Sequence, residues 1–167
     1  YDASGDTLWT RMIASYQGDF ASLYPISSRT WNGHVFVSNT IYLHTTSDTV
    51  TVDTVVITGF QGGAQALLRL DPTDGSVDWV RADGFPYVGP NLAYPRQLHV
   101  NASGNLFVNG GFGTGSVFGT DTLNISGSST GGGFLAEYNA DGDLLWVRTY
   151  EATGKVFFAE MSGRSDG

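Results

Sequence analysis

The apolar positions of this chain come in short runs cut by Gly, Asn, Asp and Ser, and no window holds the i, i+3, i+4, i+7 spacing of a helix face. The clearest stretch begins at Gln97-Leu-His-Val100, an alternating run closed by the polar turn Asn101-Ala-Ser-Gly-Asn105. Leu106-Phe-Val108 follows as a second strand that can extend to Phe112. A Gly/Thr/Ser-rich stretch, 113 to 133, then holds one strand-like piece, Thr122-Leu-Asn-Ile125. Phe134-Leu-Ala-Glu-Tyr138 and the run from Leu144 to Tyr150 are two further strands, parted by Asn139-Ala-Asp-Gly-Asp143. Asp-Gly between β-rich runs is a strong hairpin signal. The order predicts four antiparallel strands, A to D.

The same order recurs upstream. Leu23 to Ser28 reads as strand A, Asn32-Gly33 as a turn, Val35 to Val37 as B, Ala66 to Leu70 as C and Ser76 to Arg81 as D. The connecting piece repeats as well: Asp53-Thr-Val-Val-Ile-Thr-Gly59 aligns with Asp121-Thr-Leu-Asn-Ile-Ser-Gly127. Thr7 to Ala14 reads as a lone strand D, and Lys155 to Met161 as a lone strand A. The strongest periodic mark is Trp9, Trp79 and Trp146, at spacings of 70 and 67 residues. Each has Gly four places before it (Gly5, Gly75, Gly142) and Arg two places after it (Arg11, Arg81, Arg148).

Self-similarity of this length marks a repeat architecture. Tandem four-stranded antiparallel units predict an all-β sector of a β-propeller, with about two full blades plus one stray strand at each end. The expected boundaries are 1–14 for the last strand of a preceding blade and 15–83 for blade one, with an insertion near 42–52. Blade two takes 84–150, and 151–167 is the first strand of a following blade. Two blades cannot close a ring, and alone they would expose apolar faces and unpaired edges. The chain therefore reads as part of a longer polypeptide, with that polypeptide's remaining blades as its first expected partners. Its opening at Tyr1, with no initiator Met and no signal-peptide pattern, reads the same way.

Composition agrees with short strands and tight turns. Of 167 residues, 41% are hydrophobic and 13% aromatic, enough for a core, while charged residues reach only 14%. The net charge of −8, with one Lys and seven Arg, leaves no basic patch for nucleic acid. The absence of Cys excludes disulfides and thiolate chemistry. No apolar run approaches the ~18 residues of a membrane-spanning helix.

Each candidate site competes with a structural role. Trp9, Trp79 and Trp146 could form a stacking surface for a ligand, but three equivalent copies point to indoles packed between neighbouring blades. The turn oxygens of Asn139, Asp141 and Asp143 are the best candidates for Ca²⁺. They lack the twelve-residue span and closing Glu of an EF-hand loop, and Asp, Asn and Gly are what a hairpin turn needs. Gly110 to Gly115 has no helix start to aim its N–H groups at phosphate. His34, His44 and His99 share no local spacing, so no catalytic set is assigned.

Gly104-Asn-Leu-Phe-Val-Asn-Gly-Gly-Phe112, Val117-Phe-Gly-Thr-Asp-Thr-Leu-Asn-Ile-Ser-Gly127 and Gly133 to Trp146 together resemble the bacterial β-propeller repeat sometimes called the seven-bladed type. The resemblance spans nearly the whole chain, closely in blade two and loosely in blade one, where Gln65-Ala-Leu-Leu-Arg-Leu70 replaces a Phe-containing strand. It implies a large secreted or surface-exposed protein without assigned enzyme activity, and the wording Gly5-Asp-Thr-Leu-Trp-Thr-Arg11 is similar to that of exported Bacteroidetes proteins. In that setting Asp-Thr-aliphatic sequences are O-glycosylated, which makes Thr49, Thr54 and Thr122 candidates, with Thr49 and Thr54 expected to be exposed. Asn101 and Asn124 head N-glycosylation sequons.

The expected function is a non-enzymatic extracellular scaffold or binding module at the cell surface, adhesive or filament-forming, with other surface proteins or glycans as partners and no resident cofactor. The competing reading is a quinoprotein-type dehydrogenase. Leu70 to Trp79 resembles the Asp-x-x-Thr-Gly-x-x-x-Trp docking motif of those propellers, which need a quinone and Ca²⁺. The extra Asp74 breaks that motif.

Overall fold

A computed structural model of the chain describes residues 7, 9, 10, 12, 14–17, 22–58, 62–86, 95–126, 131–153 and 161. Among them every regular element is a strand: β1 (Ala14–Gln17), β2 (Ser22–Trp31), β3 (His34–Leu43), β4 (Thr49–Val52), β5 (Val55–Ile57), β6 (Gly62–Leu70), β7 (Val77–Pro86), β8 (Pro95–Val100), β9 (Leu106–Phe112), β10 (Ser116–Phe118), β11 (Asp121–Leu123), β12 (Gly131–Tyr138) and β13 (Leu144–Ala152). None of these elements is a helix long and apolar enough to cross a membrane.

Two four-stranded antiparallel sheets carry the architecture, β2-β3-β6-β7 and β8-β9-β12-β13. They are the A, B, C and D strands of two blades in an all-β, propeller-like sector. Strand B of blade one runs from His34 to Leu43, well past the Val35–Val37 that alternation marks. The reason is burial on both faces: Ser38, Asn39 and Thr40 are all enclosed, so the polar–apolar alternation of a half-exposed strand is lost.

Between strands B and C each blade inserts a small hairpin, β4-β5 in blade one and β10-β11 in blade two. Both turn through a positive-φ residue, Asp53 at 53° and Gly119 at 57°. The segment 42–52 is therefore not one inserted block. It holds the end of β3, a short loop and the first strand of a hairpin that both blades possess. Ile41 and Ala64 are paired positions 23 apart, against 20 for Phe112 and Gly132, so blade one's connection is longer by only three residues.

The expected lone strand over Thr7–Ala14 differs in position. Among the described residues of that span, Thr7, Trp9, Thr10 and Met12 lie in no regular element, and β1, from Ala14, pairs with β4 of the blade-one hairpin rather than with a blade sheet. Lys155 to Glu160 lie outside the described residues. The Met161 N–H donates to Gln97 Oε1.

Two apolar clusters result. Phe36 and Leu67 of blade one pack with Leu98, Leu106, Val108, Phe112, Phe118, Phe134, Ala136 and Tyr138 of blade two, forming the core between the blades. Phe118 and Phe134 meet with centroids 4.7 Å apart at 53°. The opposite face of blade one, with Ala64, Ala66, Leu68 and Leu70 from β6, packs with its hairpin and with Trp9 and Ala14. Each fully buried Phe or Leu contributes about 1.5–3 kcal/mol, so interblade burial is a large part of what holds either sheet.

The loop before β4 is closed by the buried Asp48, whose carboxylate accepts the N–H groups of His44 (2.9 Å) and Thr45 (2.8 Å). The Thr45 N–H, ahead of the other bonds, holds its pKa below the usual carboxylate value. A lowered folded-state pKa makes this contribution present above about pH 4 and lost as acid protonates the group. Asp48→Asn should therefore lower the urea midpoint at neutral pH and shrink the loss of stability between pH 4 and pH 2. An unchanged acid limb would show that the loop does not depend on the charge.

Candidate functional site

The chemistry that recurs in this chain is concentrated where one blade meets the next. It begins with turns built from their own side chains. Asn139 Oδ1 accepts the N–H groups of Asp141 (3.0 Å) and Asp143 (2.9 Å), and Asn101 Oδ1 accepts those of Ser103 (3.0 Å) and Asn105 (2.9 Å). Asp71 Oδ1 takes the Thr73 N–H at 2.7 Å, and Asp74 Oδ1 the Ser76 N–H at 2.8 Å. These Asx bonds hold Gly75, Gly104 and Gly142 at φ of 72°, 88° and 83°, in the left-handed region that favours Gly.

Onto each of these glycines the preceding segment lays an indole. A Cβ on Gly75 would sit 2.6 Å from Trp9 Cε3, one on Gly104 would sit 2.6 Å from Trp31 Cη2, and one on Gly142 would sit 3.1 Å from Trp79 Cε3. Each indole N–H then finds a turn carbonyl: Trp9 donates to Pro72 at 2.6 Å, Trp31 to Ala102 at 3.2 Å and Trp79 to Ala140 at 3.2 Å. The ring needs the missing side chain, and the N–H needs the exposed carbonyl. One turn supplies both.

Between the two blades the contact is extended. Phe36 backs the Trp79 ring at 6.2 Å. Arg69, paired with Trp79 across β6 and β7, sends Nη1 to the Ala140 carbonyl (3.1 Å) and to Asp141 Oδ1 (3.4 Å). Its Nε bonds Asp78 Oδ2 at 3.0 Å, and His34 Nδ1 lies 3.2 Å from the same oxygen. Further along β7, the buried Asp83 accepts the Tyr138 hydroxyl at 2.6 Å and the Gly119 N–H at 3.0 Å, both from blade two. Burial first, and the Asp83 carboxylate second, raise the Tyr138 phenol well above its usual pKa near 10. Arg81 approaches Asp83 at 3.9 Å.

The other expected residues are placed as follows. Gly5 and Arg11 lie outside the described residues. Arg148 lies 5.3 Å over the Trp146 ring, whose other neighbour is Phe107 at 6.2 Å. Asn139 Nδ2 also donates to Asp143 Oδ2 at 3.0 Å, so the candidate Ca²⁺ oxygens of this turn serve the turn and Arg69. Among the described residues no group of three His, Asp or Glu side chains is positioned to hold a metal ion. Thr54, Thr122 and Asn124 are exposed; Thr49, expected to be exposed, is half-buried in β4 because its neighbours on the strand face the core. Asn101 is half-buried with its Oδ1 engaged in the turn.

Three features escaped the repeat pattern. Trp31 has no Arg two places after it, although its neighbours Asn32-Gly33 marked a turn. The Asp83–Tyr138 bond joins positions 55 residues apart, and nothing local signals it. A buried polar strip, Ser38, Thr40 and Gln65, crosses blade one, with Thr40 directly opposite Gln65. No protein-family model matches this chain, and no curated protein matches it.

Two matched substitutions measure the indole contact. Gly33 has a φ of 76° but nothing within 4 Å of an added Cβ, whereas Gly104 meets Trp31. Gly33→Ala should cost about 1–3 kcal/mol from backbone strain alone, and Gly104→Ala distinctly more. Equal losses in chemical denaturation would remove the steric role of the indole. For Trp79, replacement by Phe should cost about 0.5–1.5 kcal/mol for the lost hydrogen bond, and by Ala about 3–5 kcal/mol.

The Tyr138 hydroxyl gives a pH signature. Its folded pKa is raised, so the stability it brings is complete below about pH 10 and fades as the pH climbs beyond that. Tyr138→Phe should cost about 1.5–3 kcal/mol at pH 7, as a hydrogen bond to a charged group, and flatten the alkaline limb of the unfolding profile. An alkaline limb identical in both proteins would assign it to other groups.

Proposed function

We propose that this chain is part of a non-enzymatic β-propeller scaffold and binding module, of the bacterial β-propeller repeat type, in a larger secreted or cell-surface protein of adhesive or filament-forming character. One observation carries the reading: the recurrent chemically capable groups engage one another or the neighbouring blade. Trp9 and Trp79 sit on turns, and the carboxylates and amides of those turns bind backbone N–H groups, Arg69 or each other. Such a chain offers partners its rims. Among the described residues, the side chains of Met12 (83% exposed), Tyr16 (59%) and Val56 (59%) are the large apolar groups most open to another surface protein or a glycan.

Surface shaving tests the placement. Proteinase K added to intact cells that naturally express the full polypeptide should remove it, as seen with an antibody raised against this chain. Protection until the cells are lysed would overturn the extracellular reading. Addition of pyrroloquinoline quinone with Ca²⁺ to the same polypeptide should leave its melting temperature and visible absorbance unchanged; a bound chromophore would favour the dehydrogenase instead.

A further inference from the structure

Blade one and blade two present the same face in the same register, yet among the described residues a neighbouring sheet packs on only one of these faces. In blade one, Phe36, Leu67 and Trp79 point to blade two; Phe36 and Leu67 are both 0% exposed, and Trp79 is half-buried with its ring on the Gly142 turn. The matching positions of blade two are Phe107, Leu135 and Trp146, and all three remain half-buried. The equivalence is set by pairing, because Leu67 lies opposite Arg81 and Leu135 opposite Arg148. Phe36 stands 6.2 Å from Trp79, and Phe107 stands 6.2 Å from Trp146. The platform of the interblade seam is therefore assembled a second time. The indole N–H of Trp146 has no hydrogen bond among the described residues, whereas those of Trp9, Trp31 and Trp79 each reach a turn carbonyl.

One position differs in sign. Arg69, across from Trp79, reaches Asp141, the residue before Gly142 in the turn that Trp79 covers. Its counterpart across from Trp146 is Glu137. Glu137 Oε1 accepts the Asn105 Nδ2–H at 2.7 Å, and the carboxylate stays half-exposed on the face. A turn like those in this chain would place Asp141 or Asp74 against it, carboxylate against carboxylate. The net charge of −8 adds to the repulsion between two copies.

We propose that the Phe107–Leu135–Trp146 face docks the C–D turn of a further β-blade, one with a left-handed Gly under the indole and Lys or Arg immediately before that Gly, and that Glu137 selects this turn over those of a second copy of the chain. The proposal rests on the blade reading of the preceding subsection. The seam between blades one and two supplies the geometry, and the exchange of Arg69 for Glu137 supplies the specificity.

The test extends the full chain through a flexible Gly/Ser linker with a second copy of residues 95–153, whose Gly142 turn then has no Trp79 upon it. Two extensions are compared, one unaltered and one with Asp141→Lys in the appended copy. With Trp146→Phe in the appended copy, the readout is hydrogen exchange at the four indole N–H groups of the host chain, assigned through single Trp→Phe variants. The Lys-bearing extension should slow exchange at Trp146 by about tenfold or more, and the unaltered one by much less. Glu137→Lys in the host chain should reverse that preference. Exchange at Trp146 that ignores both extensions overturns the docking face. Equal protection by both overturns the role of Glu137, and protection in an unextended chain that dimerises assigns the face to a second copy instead. Trp79 in the unextended chain reports separately on the blade reading: if it exchanges as fast as Trp146, that reading fails, and if it is protected, only the docking inference is at stake.

Discussion

A tryptophan ring lying on a glycine that has no room for a methyl group is the contact on which this structure turns. It ties three requirements to one point. The turn must hold Gly at positive φ, the Gly must lack a Cβ, and a carbonyl of the same turn must face the indole N–H. Asp71, Asn101 and Asn139 meet the first requirement by bonding their own turn backbones. Once the turn is shaped, the indole docks without stranding a polar group, because its ring meets the glycine and its N–H the turn carbonyl. The turn is thus both the end of one hairpin and the receptor for the blade before it.

The arrangement explains why sheets with so many glycines and so few charges can stand. The four-stranded sheet of blade one has apolar side chains on both faces and cannot bury both by itself. Here β6 alternates strictly: Leu67 and Arg69 serve the seam with blade two, while Ala66, Leu68 and Leu70 serve the cluster beside Trp9. Stability in such an array is a sum of units and the interfaces between them. The interface carries much of that sum, because the four bulkiest fully buried side chains among the described residues, Phe36, Phe118, Phe134 and Tyr138, belong to its cluster. Gly132 shows how tightly blade two packs within its own sheet, since a Cβ there would run into Phe112, its partner across β9 and β12.

The same economy bears on function. Residues that looked chemically capable, the acidic turns and the Trp-x-Arg repeat, have structural duties. Arg81 and Arg148 illustrate how position within the array changes a residue's use. Arg81 approaches the buried Asp83 in the covered seam, while Arg148 folds over Trp146 on the half-exposed face. Between the two described blades the contacts run from indole to turn and from Arg69 to Asp141, and Glu137 stands where Arg69 does, with the opposite charge.

Local chemistry made much of this legible. Asp-Gly and Asn-Gly turns, Gly at fixed distances from Trp and the return of one strand order determine four-stranded units, because turn geometry and side-chain period act over a few residues. The extent of β3 was not legible, since burial on both faces removes the alternation that marks a strand. Trp31 and the Asp83–Tyr138 bond stood outside the repeat, and only the approach of two sheets gives them partners. Which Trp is latched onto a turn carbonyl is decided at the same level. Trp79 and Trp146 sit in nearly the same local sequence, but among the described residues only Trp79 of the two has a turn beneath it, and no local signal encodes the presence of a neighbour.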